Sequence, residues 1–307
     1  MASPLHQSFS LRLPSGTDTF TITLDDIDFL QRSATWQALV NGVQLGAAAL
    51  LLITLIFMTK PDKRRSFIFL CNAFALLLVV VRASLQLATL LGPLYNFYRW
   101  AAAYYANISP AVARISIAAE LTSFLLTLAI ELALAFQVAV VCCNLPAFRQ
   151  WCVRLANAAV VLTAVSVRFA LMVVNIRWSI LHPADLTDYQ WSTIGRLASA
   201  ANITLVVCIA LASIFFTTKL ARAIHSRRTM GLTQFGPMQI LFIMGFQTML
   251  TPRTSLHPPP LLFTILTYWA LDTPVLHSFV PVVVALSLPL SGMWATTHGT
   301  SVHMAAP

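Results

Sequence analysis

The chain has 307 residues, of which 58% are hydrophobic and 9% are charged, and its mean hydropathy is +0.78. A water-soluble domain of this length cannot bury so much apolar surface, so the composition excludes an ordinary soluble protein and favours a membrane protein. The net charge is +9, but its cations gather in short connectors between apolar stretches. This pattern is typical of a membrane topology signal, and we expect no nucleic-acid partner.

Seven apolar stretches approach the roughly 20 residues that a helix needs to cross a bilayer. They predict an all-α membrane protein, a bundle of seven transmembrane helices over residues 34–296. An N-terminal segment, 1–33, precedes the bundle and a short tail, 297–307, follows it. The predicted helices cover Ala34–Met58, Phe67–Leu91, Ala113–Val141, Trp151–Ile176, Ile194–Thr218, a sixth stretch from Met238 that is interrupted after Pro252, and Val275–Trp294.

Charged connectors orient the predicted bundle. Cations follow the first, third and fifth helices, which are alternate connectors, so the positive-inside rule puts all three connectors in the cytoplasm. These cations are Lys60, Lys63, Arg64, Arg65, Arg149, Arg154, Lys219, Arg222, Arg227 and Arg228. The N-terminal segment carries four aspartates (Asp18, Asp25, Asp26 and Asp28) and is predicted outside, which leaves the C-terminus inside. This segment has no apolar core of the signal-peptide type, so we expect no cleaved signal peptide.

Two glycosylation sequons occur, Asn107-Ile108-Ser109 and Asn202-Ile203-Thr204. Asn107 lies in the predicted first outer loop, where a modifying enzyme could reach it. Asn202 falls inside the predicted fifth helix, which makes it inaccessible. We therefore expect glycosylation at Asn107 alone.

Away from the ends of the predicted helices lie Arg82, Glu120, Glu131 and Arg168. A charge at a helix centre costs about 2.5–3.5 kcal/mol on insertion scales. Each should therefore face the bundle and find a partner. We expect Glu120 to pair with Arg82 or Arg168, and the pair could serve either to hold helices together or to contact a ligand.

Other classes of protein can be tested against single residues. A retinal protein needs a buried lysine in its seventh helix, whereas the three lysines here, Lys60, Lys63 and Lys219, all lie in the predicted inner connectors. A transporter or channel-like protein would use several acids at the membrane midplane; their scarcity argues against this class, which stays the alternative. The G-x-S-x-G, H-E-x-x-H and P-loop motifs are absent. We predict no enzyme, no catalytic residue, no cofactor and no metal site.

Several short sequence blocks occur in order along the chain. The two most specific are SRRTMGLTQF, Ser226–Phe235, and LSLPLSGMWAT, Leu286–Thr296. NGVQLGAAALLLI, IFLCNAF and LAIELALAFQVAV come from the first three predicted helices. Together these blocks resemble the α-factor-type mating pheromone receptors of fungi, the class D G-protein-coupled receptors. The resemblance covers residues 34–296, and the absence of the D-R-Y and N-P-x-x-Y signatures of rhodopsin-like receptors agrees with it.

The resemblance implies a signal-transducing receptor of the plasma membrane that binds a secreted peptide pheromone and activates a heterotrimeric G protein. It carries over four coupling residues in the predicted third inner loop: Arg227, Arg228, Gly231 and Leu232. The same cations could instead fix the topology and bind anionic membrane lipid. Charge alone favours that second interpretation, and the motif match favours coupling.

The resemblance also implies an activation switch that contains Pro252, Gln247, Asn72 and Pro289. Pro252 removes a backbone hydrogen bond from the predicted sixth helix and kinks it.

Gly42 and Gly46 form a G-x-x-x-G frame that lets another helix approach closely. The resemblance implies a homodimer contact there, and packing within one bundle is the alternative.

For the ligand side, the resemblance implies Tyr268, which matches a family tyrosine near the outer end of the sixth helix. Asp272 is the nearest acid in the predicted third outer loop. Gln44 occupies a position where the family often has a basic residue. Tyr98 belongs to an aromatic first outer loop that suits either peptide binding or anchoring at the membrane interface.

Two departures from the family pattern stand out. Arg253–Pro260, RTSLHPPP, interrupts the sixth helix with an arginine and three prolines, and one proline alone costs about 3 kcal/mol in a helix interior. Without these eight residues Tyr268 falls in the family register, so we interpret 253–260 as an insertion. The tail after Trp294 is also shorter than the Ser/Thr- and Lys-containing tail of the family.

Overall fold

The computed structural model describes residues 6–12, 19–59, 61, 64–65, 67–93, 96–101, 109–141, 146–181, 187–229, 281–282 and 285–286. The N-terminal segment forms a β-hairpin of two strands, β1 (Ser8–Arg12) and β2 (Thr19–Thr23). They pair antiparallel with Ser8 opposite Thr23. Each strand carries a phenylalanine, and β2 adds four β-branched residues, which are residue types that favour extended backbone. The hairpin leads directly into the first helix.

Helix α1 (Leu24–Met58) begins well before the predicted start at Ala34. Thr23 caps it, because the Asp26 N–H donates to the Thr23 hydroxyl (3.3 Å) and the Thr23 N–H donates to the Asp26 carboxylate (3.0 Å). This reciprocal arrangement is a capping box. Asp25 and Asp26 also place negative charge at the positive end of the helix dipole. The polar residues before Ala34 are therefore the first turns of α1, which an apolar window cannot detect.

The remaining helices follow the predicted order, except that a short helix occurs within the predicted first outer loop. They are α2 (Phe67–Leu90), a short α3 (Phe97–Ala101), α4 (Pro110–Val141), α5 (Ala147–Val174) and α6 (Asp188–Thr229). A π-helical segment, Asn175–Ile180, continues α5. Helix α6 extends beyond both ends of the predicted Ile194–Thr218, so the basic stretch predicted as a loop is helical up to Thr229.

Five helices in the described part of the chain are long and apolar enough to cross a membrane. They are Leu24–Met58, Phe69–Leu90, Pro110–Phe136, Ala147–Ile180 and Tyr189–Ala212. The predicted sixth helix lies outside the described residues, and of the predicted seventh only residues 281–282 and 285–286 are described, as helix. The mostly helical, multi-pass architecture is thus confirmed, while the count of seven helices and the sides of the two termini stay predictions.

Helix α4 is central to the packing, since it contacts α2, α5 and α6, while α1 packs on α2 and α5 on α6. A buried apolar cluster joins these helices, with Ala48, Leu78, Ile130, Leu205 and Val282 among its members. Large apolar side chains also cover the outward faces; Leu50, Phe57, Leu132, Leu155 and Leu162 are all more than half exposed. Exposed apolar area on this scale is what a lipid-facing surface requires.

Candidate ligand site

A cavity of about 550 Å³ lies between the helices, lined by α1, α2, α4, the α5–π segment, α6 and Pro281. Its residues come from the first half of α1, the last turns of α2, the first half of α4, the last turns of α5 and the first half of α6. These are the parts of the helices on the side where the β1–β2 hairpin enters α1, here named the hairpin end of the bundle. The apolar cluster forms the floor of the cavity, because Leu126 and Leu205 belong to both.

On three of the helices, the polar side chains that line the cavity recur every three or four residues. Residues three or four apart lie on one face of a helix. The polar lining residues on the three best-represented helices are Gln37 and Asn41 on α1, Arg82, Gln86 and Thr89 on α2, and Ser116, Glu120, Ser123 and Thr127 on α4. The cavity is therefore polar on several walls inside an otherwise apolar bundle.

The π-helical segment adds a fourth polar wall. Its wider turn is marked by the Leu181 N–H, which donates to the Ile176 carbonyl five residues earlier (3.1 Å). Asn175 and Ser179 both line the cavity from this segment. Single π turns inside α-helices often occur at functional sites.

Three charged residues line the cavity, which confirms the expectation that Arg82, Glu120 and Arg168 face the bundle interior. The Arg82 Nε donates to the Ser123 hydroxyl at 2.8 Å. Glu120 is near enough for its charge to interact with both guanidiniums. The expected contact ion pair is nevertheless absent, since the one ion pair within 4 Å among the described residues joins Asp28 to Arg32. A neutral hydroxyl, rather than the carboxylate, accepts the Arg82 hydrogen bond.

Three buried polar atoms on the cavity residues have no hydrogen-bond partner in the described part of the chain. They are Asn41 Oδ1, Ser116 Oγ and Arg168 Nε. A buried polar group that stays unpaired costs about 1–3 kcal/mol. The cavity thus offers an acceptor, a hydroxyl and a cationic donor to a polar ligand.

Comparison with known proteins identifies the family. The model of the fungal pheromone mating factor STE2 GPCR family matches residues 2–296. The chain belongs to this family.

Curated relatives agree with the STE2 assignment. The pheromone alpha factor receptor of Lachancea kluyveri is 31% identical over 304 residues, which cover 96% of this chain and 66% of the relative. The pheromone alpha factor receptor of Saccharomyces cerevisiae is 31% identical over 282 residues, 90% of this chain and 61% of the relative. The pheromone P-factor receptor of Schizosaccharomyces pombe is 21% identical over 297 residues, 95% of this chain and 81% of the relative. The chain thus spans less than two thirds of the length of these two alpha factor receptors.

Of the four ligand residues predicted from the STE2 resemblance, the two that the structure describes, Gln44 and Tyr98, do not line the cavity. Gln44 is only 1% exposed and lies about one turn along α1 from Asn41, outside the cavity lining. Tyr98 lies in α3, where its hydroxyl donates to the Arg12 carbonyl at 2.8 Å. This bond ties α3 to strand β1, so Tyr98 positions the hairpin. Tyr268 and Asp272 fall outside the described residues.

Sequence reasoning missed several cavity residues. Gln37, Asn41, Gln86, Ser116 and Asn175 were not singled out, although each is an isolated polar residue in an apolar helix. Their spacing carries the signal, since polar residues recur every three or four positions on α1, α2 and α4. A search for such stripes in the predicted spans would have found most of the cavity.

The remaining residues implied by the STE2 resemblance lie in different parts of the structure, and several fall outside the described residues. Gly42 and Gly46 are exposed, and a Cβ added at either would meet no described atom within 4 Å, so this frame does not pack against the other described helices. Asn72 is buried on α2. Arg227 and Arg228 lie on the last turns of α6 rather than on a loop. Gly231, Leu232, Gln247, Pro252, Pro289 and Asn107 fall outside the described residues, as does the 253–260 segment.

Proposed function

We propose that this protein is a G-protein-coupled receptor that binds a secreted peptide pheromone at the cavity and activates a heterotrimeric G protein. The observation that carries the proposal is the polar cavity with its unpaired buried atoms, in a chain of the STE2 family. The hairpin end would face the outside of the plasma membrane, where a secreted peptide arrives. The protein would catalyse no covalent reaction.

The size of the cavity limits how the peptide binds. About 550 Å³ is typical of a pocket for a drug-sized molecule. A whole peptide pheromone would not fit, so one end of the peptide would enter the cavity and the rest would contact the surrounding loops and the hairpin. Tyr98 would act there indirectly by holding β1 against α3, and Tyr268, Asp272 and Gln44 stay candidates for further ligand contacts.

Activation would follow from a population shift. A peptide can shift the equilibrium between resting and active bundles only by its differential affinity for the two states. We propose that the sixth helix pivots near Pro252 and that Asn72, Gln247 and Pro289 belong to the interhelical network that changes. This movement would expose the inner ends of the fifth span, which is α6, and of the sixth span to the G protein.

Signalling in a yeast strain that lacks its own receptor tests the function. The chain as it stands and a variant without Arg253–Pro260 are each exposed to a panel of fungal pheromone peptides. We expect a peptide-dependent response from the deletion variant, because removal of the prolines restores a continuous sixth helix. Surface expression of both proteins without any response, together with substrate flux in vesicles that contain no G protein, would contradict the proposal and favour a transporter.

Coupling is tested at the end of α6. Replacing both Arg227 and Arg228 by alanine should lower peptide-dependent G-protein activation about tenfold, since two charge-assisted contacts are removed. Peptide affinity should stay unchanged, because these residues lie at the end of α6 opposite to the cavity. Activation is measured as nucleotide exchange on purified G protein. The matched control is Arg196→Ala, an exposed arginine near the hairpin end of the same helix; equal loss in both variants would refute a coupling role.

A homodimer contact is proposed at Gly42 and Gly46. The two glycines share the exposed face of α1 with Val43, Leu50 and Ile53. A flat face of this kind allows another helix to approach closely within the membrane. A second copy of the chain would supply that helix.

Substitution by leucine separates dimerisation from folding. Gly46→Leu should weaken self-association on the order of tenfold, while the monomer should keep its stability because Gly46 is exposed and a Cβ added there would meet no described atom within 4 Å. Association is measured by resonance energy transfer between tagged copies in vesicles. Gly195→Leu is the matched control, since Gly195 on α6 is also exposed and a Cβ there would meet no described atom within 4 Å. Unchanged association in Gly46→Leu would rule out this contact.

A further inference from the structure

The charges in the cavity do not cancel. Arg82 and Arg168 contribute two positive charges and Glu120 one negative charge, and the other described lining residues are uncharged. One net positive charge therefore lies between helices in a region of low dielectric. A buried charge is costly unless it meets a counter-charge with hydrogen bonds.

The guanidiniums of Arg82 and Arg168 differ in whether their Nε has a hydrogen-bond partner. Arg82 is only 7% exposed and its Nε donates to Ser123. Arg168 Nε, by contrast, is buried and has no hydrogen-bond partner in the described part of the chain. Glu120 interacts with Arg168 across more than a contact distance, so it lowers the cost of the cation without occupying its donors. Arg168 is thus the residue with a charged donor left over.

We propose that the cavity binds a single carboxylate of the peptide, with Arg168 as the principal contact and Arg82 as the second cation. The inference rests on the proposed function and names the ligand chemistry of that site. A guanidinium presents a planar fork of N–H donors that matches a carboxylate, and charge-assisted bonds of this kind are about twice as strong as neutral ones. Ser116 Oγ lines the same cavity and can donate to the same group.

Charge balance selects a carboxylate over a more highly charged anion. One carboxylate would neutralise the net positive charge of the described lining. A phosphate carries about 1.5–2 negative charges at neutral pH and would leave a net negative charge in the buried cavity, next to Glu120. The carboxylate could belong to the C-terminus of the peptide or to an aspartate or glutamate side chain.

Small probes test this subsite without knowledge of the whole peptide. The full chain is purified in lipid nanodiscs, and its thermal unfolding is followed with increasing N-acetyl-leucine, N-acetyl-leucine amide, N-acetyl-aspartic acid α-amide or inorganic phosphate. A ligand that binds only the folded state raises the unfolding temperature in a concentration-dependent way. We expect stabilisation by at least one carboxylate probe and none by the uncharged amide or phosphate. N-acetyl-leucine presents a terminal carboxylate and the aspartate probe a side-chain carboxylate, so the two distinguish the sources.

Variants assign the effect to the cavity. Arg168→Gln should weaken binding of the effective probe about tenfold or more. Arg154→Gln should not, because Arg154 is an exposed arginine near the opposite end of the same helix. Glu120→Gln should strengthen binding, since it removes the negative charge that opposes the carboxylate. A gain in probe binding cannot arise from misfolding. If Arg168→Gln does not fold, the effect of Glu120→Gln therefore tests the subsite by itself.

Three results would overturn the inference: equal stabilisation by the carboxylate and amide probes, equal binding in Arg168→Gln and the wild type, or weaker binding in Glu120→Gln. Each is read from purified receptor without peptide or G protein. A failure of this subsite is therefore seen in probe binding to the purified receptor. A failure of the proposed function is seen instead as a lack of peptide-dependent signalling in cells.

Discussion

Replacing Ile130 by alanine is expected to lower the free energy of unfolding by about 2–5 kcal/mol. Ile130 is 0% exposed and belongs to the apolar cluster on α4, the helix that contacts α2, α5 and α6. Within a membrane the loss comes from packing contacts rather than from transfer out of water, because lipid is as apolar as the protein interior. A cavity at this position would remove contacts with several helices at once.

The measurement is denaturant or thermal unfolding of the purified chain in lipid. Leu132→Ala is the matched control on the same helix, since Leu132 is 53% exposed and points to the lipid-facing side. Its side chain would contact lipid in both the folded and the unfolded membrane-inserted states, so its truncation should cost little. Similar losses in both variants would mean that α4 does not occupy the centre of the bundle.

The neighbouring residue should respond in the opposite direction: Glu131→Leu is expected to raise the free energy of unfolding by about 1–3 kcal/mol. Glu131 is 0% exposed, and neither carboxylate oxygen has a hydrogen-bond partner among the described residues. The nearby Cys208 thiol interacts with it but donates to the Val160 carbonyl at 3.7 Å. Leucine has a similar size and removes a buried polar group that lacks compensation.

Glu131→Gln serves as the control for this gain, because an amide of the same shape stays polar and buried. Unfolding is measured under the conditions used for Ile130→Ala, with the gain expected for leucine alone. A loss of stability in Glu131→Leu would contradict this prediction. The pair Ile130 and Glu131 thus tests two opposite consequences of burial at adjacent positions.

Much of the architecture could be predicted from the sequence because it depends on local properties. The apolar stretches place the first five spanning helices correctly, since the length of a span is dictated by the thickness of the bilayer. The blocks SRRTMGLTQF and LSLPLSGMWAT lead to the correct family without any structure. The cost of burying charge in lipid also predicts that Arg82, Glu120 and Arg168 face inward.

The start of α1 and the end of α6 were less predictable from the sequence, each for its own physical reason. α1 starts early because the Thr23–Asp26 capping box and the first turns lie in polar sequence, where hydropathy carries no signal. α6 continues into the basic stretch up to Thr229 because lysine and arginine are good helix formers outside the membrane as well as markers of its inner face. In both cases the backbone follows propensity and caps, whereas the predicted boundaries followed hydrophobicity.

Only the tertiary structure decides which polar residues share a site. Spacing puts Gln37, Asn41 and Gln44 near one side of α1, yet Asn41 lines the cavity and Gln44 is buried elsewhere. Periodicity defines a face of a helix, but the rotation of that helix against its neighbours determines what the face meets. The same holds for Gly42 and Gly46, whose frame suits either an internal or an external contact until the bundle turns it outward. The sequence by itself thus determined the membrane class, the order of the described spans and the family. The cavity, and the Arg168 Nε that has no hydrogen-bond partner among the described residues, emerged only from the packing of separate helices.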